Sequence, residues 1–369
     1  SRLSGVQLPN QTGAAYSYDL ANRLVGITNT STLSGTLSSF QYGLDSVGNR
    51  VRVDEMVAQP GAGRGTVWAW GYNYYGQLGD GTTITRTTPV QTKVISEAIA
   101  VAAGQDFSLA LRADGTVWAW GLNNYGQLGD GTTTDRGTPV QVSGLDDVVE
   151  IWAGYFHSFA RKADGAIWAW GRNDYGQLGD GTKTTRLTPV QATTLSDVTV
   201  LAGGYTHSLM LKADGTVWAW GQNYYGQIGD GTTTHRSNPV QVSGLSGFKD
   251  LEAGALHSLA LKSDGTVWVW GANSHGEMGN GTTSISQTVP SLVPTDTLSN
   301  IIALVAGNHH NLALKTDGTL WGWGYNHFGQ VGDGTLENDR LTPVQVSGLS
   351  NAVSIAGGGN HSLALRADR

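Results

Sequence analysis

Three residue types recur at fixed spacing, and each could do chemistry. His157, His207, His257, His310 and His361 are each followed by Ser or Asn. Asp80, Asp130, Asp180, Asp230 and Asp333 sit in a Gly-Gln-x-Gly-Asp-Gly-Thr loop, where the fifth copy carries Asn280. Arg86, Arg136, Arg186, Arg236 and Arg340 follow those loops. Imidazoles ligate metals or take protons, carboxylates hold cations, and arginines clamp anions. The spacing argues against all three. One Asp per loop is a poor cation site, and the loop lacks the Lys of a phosphate-binding loop and the alternating carboxylates of a calcium loop. It reads instead as a tight glycine turn whose Asp caps backbone N–H groups, with the following Arg tied to it. Histidines on separate repeats are too far apart to share one ion, and Phe107 replaces the first of them, so each is expected to serve its own repeat. No nucleophile, base and orienting group stand together outside the repeated pattern. The reading is of no catalytic residue, no metal and no cofactor.

These residues are positioned by a repeat. The stretch Gly65 to Thr82 returns at Gly115, Gly165, Gly215, Gly265 and Gly318, a period of 50 residues four times over. A fixed period of this size marks a solenoid, propeller or array. Within each unit, Asp114-Gly115 and its equivalents lie between two short apolar runs, a tight-hairpin signal. That predicts paired strands at 108–112 and 116–120. Trp118 and Trp120 alternate with Val117 and Ala119, so both faces are apolar and both must be covered. Two more strands fit, at 138–142 (with Pro139, hence an edge) and 148–154. In spatial order they are termed A (Val-Val-Glu-Ile-Trp-like), B (His-Ser-Leu-Ala-Leu-like), C (Val-Trp-Ala-Trp-like) and D (Thr-Pro-Val-Gln-like). Four antiparallel strands per unit, buried on both faces and repeated around a ring, make an all-β propeller. The alternating Trp pairs are then core between blades.

The pattern Gly-Thr-Val-Trp-Ala-Trp-Gly-x-Asn-x-Tyr-Gly-Gln-Leu-Gly-Asp-Gly-Thr, with its later Arg, Thr-Pro-Val-Gln-Val and His-Ser-Leu-Ala-Leu, resembles the regulator of chromosome condensation repeat in its bacterial form. The resemblance covers residues 65–369 as six units, 65–114, 115–164, 165–214, 215–264, 265–317 and 318–369. It implies a propeller, in that family usually of seven blades. Here the region opens with strands C and D and closes with A and B. The expectation is six blades with a composite closing blade; the alternative draws four strands from residues 1–64 to make seven. Residues 1–58 are similar to the YD repeats of the rearrangement hotspot family. The matching residues are Tyr18, Asp19, Arg23 and Leu24, then Asp45, Gly48, Asn49 and Arg50. Residues 59–64 read as a linker.

The bounds on function are few. A net charge of −7 favours no nucleic-acid partner, cysteine is absent, and no apolar run approaches the length of a membrane-spanning helix. The chain starts at Ser1 without a signal-like segment and reads as a processed or excised piece. Antiparallel order places the A–B and C–D loops on one face of the ring and the B–C hairpins on the other. The hairpins barely vary, whereas the A–B and C–D loops do. Aromatic and basic types at the variable positions suit an interface. Tyr74, Tyr155, Phe156, Arg172, Tyr205, Tyr224, His309 and His327 are the candidate contacts for a protein partner. The expected function is a non-catalytic interaction platform. The YD resemblance implies an extracellular or cell-surface bacterial protein and association with further YD-repeat parts of a parent chain. The alternatives are a plug or spacer in a YD-repeat shell, and guanine-nucleotide exchange, which some relatives of the repeat family perform.

Overall fold

The computed structural model describes residues 65–366, apart from positions 243, 245, 295 and 297, together with five strands within residues 5–57. The chain divides into two units, Ser1–Gly65 and Thr66–Arg369. In the first, Gly5–Gln7, Thr12–Tyr18, Leu24–Ser31, Gly35–Leu44 and Arg50–Val57 form an antiparallel meander in sequence order. Asp19, Arg23, Asp45, Gly48, Asn49 and the 59–64 linker lie outside the described residues.

The second unit is all-β among its described residues. Its first complete blade holds Ala98–Ala103 (A), Phe107–Arg112 (B), Val117–Gly121 (C) and Arg136–Gln141 (D), hydrogen-bonded in that order. Four more blades repeat it, ending with Arg340–Gln345. The B–C turn works as its sequence requires. Gly115 has φ +77°, a conformation that costs glycine little, and Asp114 Oδ1 accepts from Thr116 N and Oγ1 at 3.1 and 2.6 Å. The D strand, with its Pro, is the outer edge, and a bulge between Ala119 and Gly121 shifts its register. The A strands line a central channel whose wall includes Ala102, Ala202, Glu252 and Ala306. Burial and then Asp250's charge push the Glu252 carboxyl up to about 8.

The core lies between blades. The second Trp of each complete C strand (Trp120, Trp170, Trp220, Trp270, Trp323) is fully buried. Its Nε1 donates to a loop carbonyl of the preceding unit, as from Trp170 to Gln127 O at 2.9 Å. The first Trp is only partly buried, and Trp118, Trp168, Trp218 and Trp321 each lie under a cation, as Trp218 does under Lys212 at 4.8 Å. So the expectation that both members of the pair are core holds for the second alone. Both rings share one face of the strand, but the first stands next to the B–C turn, where Trp118 Nε1 donates to Thr116 Oγ1 at 3.2 Å, near the rim of the blade.

The histidines also correct their expected role, because four of the five, His157, His207, His257 and His310, bridge to the next B strand. His157 Nε2 lies 2.9 Å from Ser208 Oγ, His207 Nε2 3.0 Å from Ser258 Oγ, and His310 Nε2 3.0 Å from Ser362 Oγ. His257 Nε2 lies 2.7 Å from Asn311 Oδ1. The ring sits so tightly on its own A–B turn that a Cβ at Gly154 would lie 2.3 Å from His157 Cε1.

The composite blade is not formed. Trp68–Gly71 with Arg86–Gln91, and Ala352–Gly357 with Ser362–Arg366, are separate two-stranded sheets. Each half is fixed by the blade beside it. Trp120 Nε1 donates to Gln77 O at 2.8 Å at one end, and Ser362 Oγ to Gln330 O at 2.7 Å at the other. Among the described residues, five complete blades and two half-blades result.

Candidate functional site: the loop face of the ring

The Gly-Asp-Gly loops are self-contained scaffolds. Asn123 Nδ2 donates to Asp130 Oδ1 and to the carbonyls of Thr132 and Thr134, each at 3.1 Å. Its Oδ1 accepts from Leu128 N at 3.0 Å. Asp130 Oδ1 accepts from Thr132 N and Oγ1 at 2.9 and 2.7 Å, and its Oδ2 takes Arg136 Nε at 2.8 Å. Burial opposes the charge of Asp130, yet the bonds from Thr132 and Arg136 hold its carboxyl below the ordinary range. Every lone pair of use to a cation is spent within the loop. Asn280 keeps the same two bonds to Thr282, at 3.1 and 2.7 Å, without an Arg.

The Ser–His contacts look like a nucleophile and its base, and the hydrogen bonds exclude it. Ser208 Oγ donates to Gln177 O at 2.8 Å, so its proton is committed there. His157 Nε2 must then carry the proton and donate. Its Nδ1 is buried without a hydrogen-bond partner. Burial, and next the charge of Arg172, drop the His157 pKa to about 3, and burial does the same for His207. A neutral, sealed imidazole that donates to a hydroxyl cannot take its proton.

On this scaffold the variable loop residues gather into aromatic groups. The largest centres on Arg172. Its guanidinium lies 4.7 Å over Tyr125, 5.8 Å from Tyr205 and 5.9 Å from Phe156. Asp174 Oδ2 accepts from its Nε at 2.7 Å and fixes its direction. Phe156 meets Tyr205 edge-on at 5.1 Å and Tyr125 at 5.5 Å. Tyr155 stands 5.7 Å from Tyr205, and its hydroxyl hydrogen-bonds Asn308 on a blade three further round the ring. Burial raises the Tyr155 pKa.

Three smaller groups share the face. Tyr224 packs on His235 at 4.4 Å and on Tyr175 at 6.2 Å. His309 lies 5.3 Å from His275, and His327 stacks 5.9 Å from Tyr325. Tyr74 stacks 6.4 Å from Tyr72. Glu277, fully buried where other units carry Gln, accepts from His275 N at 2.8 Å and lies 3.1 Å from His309 Nδ1. Burial opposes its charge, but His309 and then His257 hold the carboxyl below its usual value. A cleft of about 530 Å³ between Tyr75, Asp106, Asp135 and Phe156 opens beside the Arg172 group.

Four of the eight candidates thus form one cluster: Tyr155, Phe156, Arg172 and Tyr205. Tyr224, His309, His327 and Tyr74 belong to its satellites. Phe156 is itself buried, so it props Arg172 and Tyr205 rather than presenting a surface. Tyr125, Tyr175, His235 and His275 were missed. Tyr125 and Tyr175 hold a repeat-constant position, which masks their part in an asymmetric cluster. For Tyr125, Tyr175 and His275 the signal that could have found them is an aromatic ring two residues beyond the fixed Asn of each C–D loop, beside the variable positions.

With this geometry in hand, likeness to known proteins becomes informative. The RCC1-like domain matches residues 58–303, and the regulator of chromosome condensation (RCC1) repeat matches 317–365. The chain is 42% identical over 74 residues to the ultraviolet-B receptor UVR8 of Arabidopsis thaliana, covering 19% of this chain and 17% of that protein. It is 36% identical over 84 residues to guanine nucleotide exchange factor SRM1 of Saccharomyces cerevisiae, 22% and 17% of the two. Each match therefore spans about a sixth of the relative. The solved Prp20p of Saccharomyces cerevisiae, described with its binding to Gsp1p and histones, superposes with TM-score 0.74 at 24% identity, over 94% of this chain and 82% of that one. That likeness establishes the propeller. Repeat, blade and family match agree, and the chain belongs to the RCC1-like domain family.

Proposed function

We propose that this propeller is a non-catalytic platform whose A–B/C–D loop face docks a protein partner. The observation that carries the reading is the Arg172 group. Three rings from variable positions, Tyr155, Phe156 and Tyr205, and the constant Tyr125 gather around one partly buried guanidinium. Arg and Tyr in a pre-packed cluster dominate interface energies, since little side-chain entropy remains to be lost. Prp20p, of the same fold, is described as binding Gsp1p and histones, which supports protein recognition as the use of such a ring. The YD likeness of residues 1–58 supports an extracellular or surface setting in a bacterium.

Two variants test it. One replaces Arg172, Tyr205, Tyr224 and His327 by Ala. The other replaces Lys93, Asp146 and Lys249, exposed on or beside the opposite face. Capture of one partner from the native source should fail with the first alone. Loss with the second alone ends the proposal. Nucleotide exchange is the second reading, favoured by the SRM1 match. Accelerated GDP release from a small GTPase would replace the first reading.

A further inference from the structure

Four titratable residues meet where the fourth complete blade adjoins the fifth, and two of them break repeat-constant positions. His275 stands where the other units carry Tyr75, Tyr125, Tyr175, Tyr225 or Phe328, and Glu277 stands where they carry Gln. Both lie on the C–D loop of the fourth blade. His309 comes from the variable A–B turn of the fifth blade, and Asp339 from that blade's C–D loop, just before Arg340. Three separate loops are therefore needed to build the group.

The four residues pair off. His275 Nδ1 lies 2.8 Å from Asp339 Oδ2, and His309 Nδ1 lies 3.1 Å from Glu277 Oε1. An ionised carboxylate only accepts, so each Nδ1 carries a proton and donates it. In a neutral imidazole that leaves the lone pair on Nε2. No hydrogen bond among the described residues uses either Nε2, and the two side chains are 34% and 30% exposed. The blade-bridging histidines differ in both respects, being buried with Nε2 spent on the next B strand. The carboxylates have no oxygen to spare. Glu277 Oε2 accepts from His275 N at 2.8 Å, and Asp339 Oδ1 from Asn326 N at 3.2 Å. The rings are held from other sides as well. Tyr325 packs 4.7 Å from His275, and its N donates to His309 O at 2.8 Å.

A carboxylate on Nδ1 and a lone pair on Nε2 are what orient a metal-binding imidazole and raise its basicity. The spacing agrees. With Zn–N at about 2.0–2.1 Å and each ring centre about 1.2 Å behind its nitrogen, two imidazoles at a tetrahedral angle have centroids about 5.2 Å apart. The His275 and His309 centroids are 5.3 Å apart. We propose that His275 Nε2 and His309 Nε2 together bind one divalent ion of the Zn2+ and Cu2+ class, which imidazole ligands suit. Asp339 and Glu277 orient the two rings and do not ligate. No group of three or more metal-binding side chains occurs among the described residues, so the remaining positions on the ion take water or a ligand from outside the chain. The site stands whether or not the loop face meets a protein partner. The competing account is two plain ion pairs of protonated imidazoles, whose Nε2 atoms carry protons and ligate nothing.

Titration calorimetry of the full chain with Zn2+ alone tests it. One ion should bind per chain, and Tm should rise with it. His275→Ala and His309→Ala should each weaken binding by about tenfold or more, while His361→Ala, which removes an exposed imidazole elsewhere, should not. Asp339→Ala leaves both imidazoles in place and should still weaken binding by about tenfold; parent-like affinity there would contradict the orienting role. The electron paramagnetic resonance spectrum of added Cu2+ gives a second readout, with splitting from two imidazole nitrogens in the parent. That count needs no variant, so the proposal can fail even where a substitution unfolds the chain. No saturable Zn2+ binding overturns it, and so does a single coordinated nitrogen. Affinity that survives His275→Ala or His309→Ala in a folded chain overturns it equally.

Discussion

The two faces of the ring are built from the same repeat and differ in what they leave free. On the hairpin face, Asp114, Asp214, Asp264 and Asp317 each accept from the backbone N–H and hydroxyl of the Thr two residues on, at nearly the same distances. Asp164, followed by Ala166, keeps only the backbone bond at 2.9 Å, the one departure among these turns. On the loop face the scaffold is equally constant, through Asn123, Asp130 and their equivalents. The residues carried on it differ from blade to blade and gather across blade boundaries. Arg172 belongs to one unit, Tyr125 to the one before, and Tyr205 sits on the following A–B turn. The contrast teaches that asymmetry in a repeat protein is made by a few substitutions on a constant frame, and that the frame pays no stability for it.

That separation can be broken most severely through the frame. The buried histidines are neutral in the fold, at about 3 for His157 and His207 and about 4 for His310. The unfolded chain binds their protons below about 6.5, so it holds more protons than the fold between there and about 3. Stability is therefore full above pH 6.5 and lost as pH falls. Each buried His contributes about 1–2 kcal/mol to that loss by pH 5. Denaturant melts at pH 7.5 and 5.0 measure it. An unchanged midpoint would place these imidazoles in water.

The next effect separates the two members of the Trp pair. Trp170→Ala should cost about 3–5 kcal/mol, mainly through its lost packing, since Gln127 O keeps the bond from Ser158 Oγ at 3.0 Å. Trp168→Ala should cost about 1 kcal/mol, since that ring is half exposed beneath Lys162 at 5.5 Å. Equal losses in urea melts would contradict the division of core from surface.

A smaller cost attaches to the loop ion pairs. Asp180→Asn should keep the bonds to Thr182, as Asn280 does to Thr282, and lose about 1 kcal/mol with the Arg186 bond. Asp180→Ala should lose about 2 kcal/mol. The order of the two midpoints is the check. Smallest of all, Arg172→Ala should change stability by about 0.5–1 kcal/mol, because its ion-pair partner Asp174 is half exposed and its ring contacts lie in a surface loop. A larger loss would make Arg172 part of the frame.

The propeller was legible because Asp-Gly turns and alternating Trp fix strands and faces locally. The loop face followed from strand order alone. The histidine bridges were not legible, since a period of 50 places each His in its own unit while the ring sets its partner in the next. Nor was the failure of the two ends to pair, because complementary edges do not report the distance between them. Tyr125 was hidden by its constancy, although what surrounds it is not constant. Phe156 was read as surface because it varies, yet it lies beneath Arg172.

The central claim is that the loop face, and not the hairpin face, meets the partner. A photo-reactive amino acid at Tyr224 and, in a second protein, at Asp146 tests it most directly, both sites being exposed. In the native source the account predicts one protein adduct trapped from position 224, competed by unmodified chain and absent from position 146. The same adduct from position 146 alone would contradict it.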